Sequence, residues 1–310
     1  MGLGALAFAT WVLRSGRRDL ALLLAWIRRG AALVLVGSVV RLGARAVIAA
    51  GGDWAGVVSP SALGDVLGST MGISLLLAVA GAVLLGAGAR TGQGALGVGV
   101  PSPVGAASAG DAVPVVAASP VTRSPSRLRP WQPPASAVAG AFGVLASFLF
   151  DGHTVTEGNR VVHALLDVVH VGSAAVWGGG VLMLAAVARR RRRAVDATRV
   201  AVLAARFSVT AGVALVAAGL AGVALSVIVA DGVPDLWSTD WGRLLLVKVA
   251  LVGVAAAIGA WNQVVMVPQL DERPDDRELL RRFAGVLRAE AAALVAVVMV
   301  TGLLVGASTT

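Results

Sequence analysis

The chain has 310 residues, of which 57% are hydrophobic and 14% are charged, and it carries a net charge of +9 at pH 7. Several uncharged stretches reach about 20 residues, the length that an α-helix needs to cross a bilayer, and this excludes a soluble domain. The basic residues lie between the apolar stretches, as membrane orientation requires, and this excludes a nucleic-acid-binding protein. Cysteine is absent, which excludes disulfide bonds and thiolate metal sites.

Residues 1–89 predict a first unit of about three transmembrane helices. Its apolar stretches are residues 1–13, which are short for a complete span, residues 20–50, with a span from about Gly30, and residues 66–89. We expect no cleavable signal sequence, because no basic segment precedes the first apolar stretch.

Two arginines, Arg41 and Arg45, fall in the outer half of the second predicted span. A charged side chain inside a membrane is costly, so each arginine needs a polar neighbour or a route to the interface. Two interpretations are open: the long side chains reach the interface alongside the helix, or they face a polar cavity within the bundle.

Residues 90–134 differ from the rest of the chain, because Gly, Pro, Ser and Ala dominate there without a helical period. This composition predicts a flexible linker. Residues 135–310 predict a second unit of about five spans. These are 135–150, a helix that follows a histidine-containing loop and ends at 188, 207–230, 243–266 and 287–307. The chain as a whole is therefore predicted to be an all-α polytopic membrane protein with about eight transmembrane helices.

A weak internal repeat is also predicted, between residues 61–85 and residues 232–256. Each segment joins an aspartate-containing loop to a Ser-Thr pair, a nearby glycine and an apolar span. Repeats of this kind are common in membrane transporters.

The distribution of basic residues predicts the orientation of the spans. Of the 26 lysines and arginines, 21 fall in four alternate segments: 14–29, 90–134, 189–206 and 267–288. Because cytoplasmic loops carry an excess of Lys and Arg, these segments are predicted to be cytoplasmic, including the linker. Both termini and the histidine-containing loop are then extracytoplasmic, in a protein of the cytoplasmic membrane.

All three histidines lie close together in the sequence, as His153, His163 and His170. On a helix His163, Asp167 and His170 stand at i, i+4 and i+7, which places them on one face. About 10 Å of helix axis separates the two helical histidines. Ionisable residues at the outer end of a membrane-length helix indicate a functional site.

Two interpretations of this face are open. Imidazole and carboxylate groups are ligands for copper and zinc, so these four residues form an outward-facing metal site in the first interpretation. In the second, the helical histidines hydrogen-bond at the interface and His153 is an ordinary loop residue. Asp167 also suits a role as the acceptor that orients an imidazole ring.

Two further ionisable residues fall within predicted spans, Lys248 and Glu290. Lys248 either reaches the outer interface or faces the bundle interior, and Glu290 is either an interfacial acid or part of a pathway. The sequence contains no nucleophile–base pair and no phosphate-binding loop, so we expect no enzymatic activity. Two histidines on one helix face cannot both be axial ligands of one haem.

Several segments together resemble one known family. The stretch HALLDVVHVGSAAVWGGGVLMLA, from His163, has a His-x6-Trp-x-Gly-Gly pattern, and the preceding FDGHT supplies a Gly-His pair. The stretch LWSTDWGRLLLVKVALVGVAAAIGAWNQVVMVP contains a Thr-x-x-Gly-Arg-x-Leu-Leu-x-Lys pattern and an asparagine after it. RFSVTAGVALVAAGLAGVALSV and the glutamate-bearing RRFAGVLRAEAAALVAVVMVTGLLV complete the set. In this combination, over about residues 145–307, the chain resembles the copper resistance protein D family.

The resemblance implies an inner-membrane protein with eight spans that is linked to copper uptake and resistance. The residues that match the family pattern are the following: His153, His170, Trp177, Lys248, Asn262 and Glu290. His163 and Asp167 rest on helix spacing alone. The implied metal is copper, as Cu⁺ or Cu²⁺, with His153, His163, Asp167, His170 and Glu290 as candidate ligands. The implied surroundings are the lipid bilayer and, for delivery, an extracytoplasmic copper-binding protein.

Three hypotheses follow for the function. The first is a membrane protein that imports copper from an outer histidine site. The second is a scaffold or assembly factor that does not transport copper but delivers it to another membrane protein. The third is a haem protein that transfers electrons in the membrane.

Overall fold

The computed structural model describes residues 1–13, 17–97, 131–150, 159–193, 200–230, 232–273 and 276–307. Helices make up all the regular structure in these ranges, which confirms the all-α fold class. The α-helices are α1 (Gly2–Ala7), α2 (Arg17–Ala49), α3 (Pro60–Gly68), α4 (Thr70–Gly97), α5 (Ala135–Ala146), α6 (Arg160–Arg193), α7 (Val200–Val229), α8 (Asp235–Ser238), α9 (Asp240–Trp261), α10 (Val267–Glu272) and α11 (Arg277–Gly306). Two π-helical segments, Phe8–Leu13 and Asn262–Met266, and two 3₁₀ segments, Trp54–Val58 and Ser147–Phe150, connect or extend them.

Six helical segments of the described ranges are long and apolar enough to cross a membrane. They are Asp19–Ala49, Thr70–Gly92, Val161–Arg191, Val200–Val229, Asp240–Glu272 and Arg277–Val305. Two shorter apolar helices, Gly2–Leu13 and Ala135–Phe150, occupy the positions of the first and fourth predicted spans. The structure therefore supports six spans and does not confirm the predicted count of eight.

The boundaries of several predicted spans were wrong, and α7 and α11 begin at Val200 and Arg277 rather than at 207 and 287. Helix α2 begins at Arg17 rather than near Gly30, so Arg28 and Arg29 lie inside it. The Arg29 guanidinium lies 5.1 Å from the centre of the Trp26 ring, and this cation–π contact lets the charge stay on a helix surface.

The third predicted span begins later than expected, at Thr70 rather than 66. The Ser59 hydroxyl accepts a hydrogen bond from the Ala62 N–H, and Pro60 occupies the first turn. Together they start the separate helix α3 before the span. Helix α4 also continues to Gly97, past the predicted start of the linker at residue 90.

The short N-terminal helix is one of the most buried parts of the molecule. Helix α1 and the π-helical turn after it pack against α2, α6 and α7. Gly4 lies directly on Gly179, because a Cβ on Gly4 would lie 2.5 Å from the Ala175 carbonyl oxygen and from the Gly179 Cα. The Phe8 and Phe207 ring centres are 5.8 Å apart at the next level. The absence of a side chain at Gly179 of α6 thus lets α1 pack directly against the α6 backbone.

The turns that lead into α4 and α9 are alike in detail. Ser69 and Thr239 cap the two helices in an extended conformation, and each hydroxyl donates to a carbonyl of the preceding short helix. Gly72 and Gly242 each sit so close to that short helix that a Cβ would collide with its backbone. This likeness covers the turns, and the longer internal repeat stays a prediction.

Candidate functional site

Helix α6 carries the predicted residues along one face. His163, Asp167, His170 and Trp177 follow one another at spacings of four, three and seven residues, so they form a single stripe. The stripe is about 21 Å long at the rise of an α-helix. Helix α6 packs most extensively against α7 and also against α1 and α11, so much of its surface faces protein rather than lipid.

His163 lies near the start of α6 with its side chain enclosed by protein. The residue is 6% exposed, and its Nδ1 atom is buried without a hydrogen-bond partner. Such an atom normally has a partner in a folded protein, so an unpaired imidazole nitrogen indicates a place for a ligand or a water molecule. His153 lies outside the described residues, and its relation to His163 stays a prediction.

His170 is oriented by a contact with the neighbouring helix α7. Its Nδ1 lies 2.8 Å from the Ala218 carbonyl oxygen. A carbonyl can only accept, so Nδ1 carries the proton and Nε2 keeps its lone pair. Gly222 gives the ring its space, because a Cβ there would lie 3.0 Å from Cε1. Backbone carbonyls often orient metal-binding histidines in this way.

Two charged side chains act on His170. Asp167 lies one turn away on α6, and Lys248 belongs to α9. Both interact electrostatically with the imidazole, and Asp167 also interacts with the Lys248 ammonium group. The three residues thus form a polar cluster, hereafter the outer cluster, at the end of α6 that is predicted to be extracytoplasmic.

A second group of polar residues, hereafter the inner cluster, lies two helical turns further along α6. The Asn262 amide Nδ2 donates to Glu290 Oε2 at 3.4 Å, and the Trp177 indole N–H interacts with the same carboxylate as a donor. Trp177 and Asn262 are 6% exposed and Glu290 is 4% exposed. Residues from α6, from α11 and from the π-helical segment that follows α9 therefore meet in the interior of the helix bundle.

The backbone around the inner cluster is shaped to fit these side chains. Asn262 begins the π-helical segment Asn262–Met266, and π-helical turns often occur at functional sites because they redirect side chains. A Cβ on Gly259 would lie 3.1 Å from Glu290 Oε1, so this glycine makes room for the carboxylate. The Asn262 Oδ1 atom is buried without a partner and is an open acceptor beside the carboxylate.

The structure thus divides six of the candidate residues between two clusters, and His163 belongs to neither. Glu290 lies with Trp177 and Asn262, while His170 lies with Asp167 and Lys248. Within the described residues no three His, Asp or Glu side chains are grouped closely enough to hold one metal ion. A metal site built from the predicted ligands therefore stays a prediction.

The sequence analysis missed a buried ion pair at the other end of α6. Arg191 Nε and Nη2 donate to Asp19 Oδ2 on α2, at 3.1 and 2.5 Å. Asp19 is 7% exposed and Arg191 is 5% exposed. The available signal was a single carboxylate between the arginines at the start of α2, within a segment predicted to be cytoplasmic.

Comparison with known proteins points to copper. Residues 201–304 match the family model described as Copper resistance protein D. A relative named Copper transport protein CutJ, from Bacillus subtilis strain 168, is 26% identical over 119 residues, which is 38% of this chain and 22% of the relative. This chain thus matches less than a quarter of that relative's length, and no solved structure matches it.

The family match covers α7 through most of α11, and so includes Lys248, Asn262 and Glu290 but not the histidines of α6. The name of the relative also concerns copper transport. The resemblance drawn from the sequence is confirmed: the C-terminal third of the chain, residues 201–304, is a match to the copper resistance protein D family.

Proposed function

We propose that this chain imports copper across the cytoplasmic membrane and that the two clusters along α6 bind the ion in succession. The family match and the relative's name support copper as the cargo. Helices long and apolar enough to cross a membrane support a multi-pass location. The orientation, with the histidines outside, rests on the distribution of arginines.

The contact of Trp177 and Asn262 with Glu290 carries this proposal. A carboxylate buried within a membrane span is costly, and intramembrane acids often mark ion pathways. Both of its neighbours are neutral donors, so a positively charged ion would gain from its charge. The open Asn262 Oδ1 offers a second oxygen at the same place.

The outer cluster suits the capture of the ion. His170 presents Nε2 with its lone pair, and imidazole is a good copper ligand. The Lys248 ammonium opposes a second cation, while Asp167 attracts one. In our proposal the arriving ion draws Asp167 away from Lys248 and then moves about 10 Å along α6 to the level of Trp177.

The copper content of the purified full chain tests the capture step. Elemental analysis of the detergent-purified protein should find about one copper per chain, and the double variant His153→Ala/His170→Ala should lose it, because metal sites depend on their imidazoles. The matched control is Gln269→Ala, because Gln269 is an exposed polar residue of α10 that belongs to neither cluster.

The outcomes separate the competing functions. Equal copper in wild type and double variant would contradict the histidine site. Copper that binds but never crosses a membrane in reconstituted vesicles would favour a scaffold that delivers copper and that receives it in the cell from an extracytoplasmic copper-binding protein. A Soret band in protein from haem-supplied cells would favour electron transfer.

A further inference from the structure

The arginines of α2, Arg41 and Arg45, have separate environments in the structure. Arg41 Nη1 donates to the Ser74 hydroxyl at 3.4 Å, and Ser74 in turn donates to the Ser147 carbonyl oxygen at 2.8 Å. Arg41 therefore makes a hydrogen bond to a neighbouring helix of the bundle. Arg45, one turn nearer the end of α2, is exposed.

Arg45 lines a cavity of about 280 Å³ between α2, α3, α4 and Phe150. This volume is close to the lower end of ligand-binding pockets, roughly 300 Å³. The cavity lining contains no acidic side chain. The acids nearest in the sequence, Asp53 and Asp65, do not line it, and the Asp53 carboxylate instead accepts from the Ala55 N–H.

The start of α4 adds to the positive character of this cavity. Ser69 and Thr70, the cap and first residue of α4, both line it. The Ser69 hydroxyl accepts from the Met71 N–H, and the Gly72 N–H donates to the Ser69 carbonyl oxygen, so this end of the 28-residue helix contributes the partial positive charge of its dipole. The Thr70 side chain is exposed and supplies a hydroxyl donor. A guanidinium, a hydroxyl and a helix N-terminus together favour a phosphate group.

The remaining walls and the level of the cavity indicate where the phosphate comes from. Ile48, Val66 and Phe150 are apolar and lie beside the polar groups. Trp54, 81% exposed, lies five residues after the end of α2, and exposed tryptophans beside spans mark the headgroup level of a bilayer. A polar head above an apolar wall matches a phospholipid better than a free anion.

We propose that this cavity binds the phosphate of an anionic phospholipid in the outer leaflet, with Arg45 as its principal donor. The lipid phosphate would give the Arg45 guanidinium the partner that a charge at the edge of a membrane needs. The proposal is independent of copper transport, because it rests on α2, α4 and Phe150 rather than on the two clusters.

Native mass spectrometry of the full chain in a neutral detergent, with added phosphatidylglycerol, tests the proposal. Wild type should retain one phosphatidylglycerol, and Arg45→Gln should weaken its binding about tenfold, because a charge-assisted hydrogen bond is lost. The matched control is Arg243→Gln, since Arg243 is also an exposed arginine near the predicted outer end of a span. Thr70→Val, which keeps the arginine, should weaken binding by a smaller factor.

Equal affinity in wild type, Arg45→Gln and Thr70→Val would overturn the proposal and leave only lipids that surround any membrane protein. Inorganic phosphate that binds as tightly as phosphatidylglycerol, and displaces it completely, would overturn the lipid assignment in favour of a free anion. If Arg45→Gln fails to fold, the affinity of Thr70→Val decides between these results.

Discussion

The buried pair of Asp19 and Arg191 predicts a large and specific loss of stability. Both residues are almost fully enclosed, and Arg191 Nη1 is already buried without a partner. The change Asp19→Asn removes the negative charge that accepts from Nε and Nη2 of the guanidinium. Leaving one charge of a buried pair unpaired costs about 3–5 kcal/mol.

A double variant separates the loss of the charge from the loss of volume. Replacing both partners, as Asp19→Leu/Arg191→Met, should restore most of the stability, because no buried charge is then left unpaired. The matched control is Glu278→Gln, since Glu278 pairs with Arg281 and Arg282 on an exposed surface of α11. That change should cost no more than about 1 kcal/mol.

The free energy of unfolding is measured by titrating the protein in mixed micelles with sodium dodecyl sulfate and following circular dichroism. The order expected is Asp19→Asn least stable, the double variant intermediate or near wild type, and Glu278→Gln near wild type. An Asp19→Asn value within 1 kcal/mol of the Glu278→Gln value would refute the reasoning, because the pair would then be solvated.

Two further predictions concern glycine packing and a helix cap. The change Gly4→Ala should destabilise the protein by about 1–3 kcal/mol, because its Cβ would meet the Gly179 backbone, whereas Gly219→Ala, with open space around it, should be neutral or stabilising in a thermal unfolding assay. The pKa of Asp276 is held below its usual value of 3.8, first by the hydrogen bond from the Leu279 N–H. Its contribution to stability is therefore present above pH 3.8 and is lost as the pH falls through the lower folded pKa. The change Asp276→Asn keeps a side chain that can cap the helix but does not titrate. The free energy of unfolding of this variant should therefore fall less steeply with decreasing pH than that of wild type. An equal pH dependence in the two proteins would contradict this account.

The predictable parts of the fold were those set by hydropathy. Apolar stretches of membrane length predicted the long helices, because each must satisfy its backbone hydrogen bonds internally. The boundaries were harder: Arg28 and Arg29 suggested an interruption, yet α2 passes through them. A helix accommodates such arginines when their long side chains find a surface, which depends on neighbouring segments.

The candidate site was only partly readable from the sequence. The i, i+4, i+7 spacing correctly placed His163, Asp167 and His170 on one helix, since helix geometry is local. The meeting of Asn262 with Glu290 depends on how α9 and α11 pack and on a π-helical turn, and neither follows from local pattern. The resemblance to a family pointed to those residues instead.

Copper flux into vesicles that contain only the purified full chain tests the central claim most directly. The change Glu290→Gln keeps the size and hydrogen-bonding capacity of the side chain but removes the charge beside Asn262, while Glu278→Gln removes an exposed charge from the same helix. The account predicts that wild type and Glu278→Gln take up copper and that Glu290→Gln does so at least about tenfold more slowly, the effect of roughly 1.4 kcal/mol on the barrier. Equal uptake by all three proteins, or none by wild type, would contradict it.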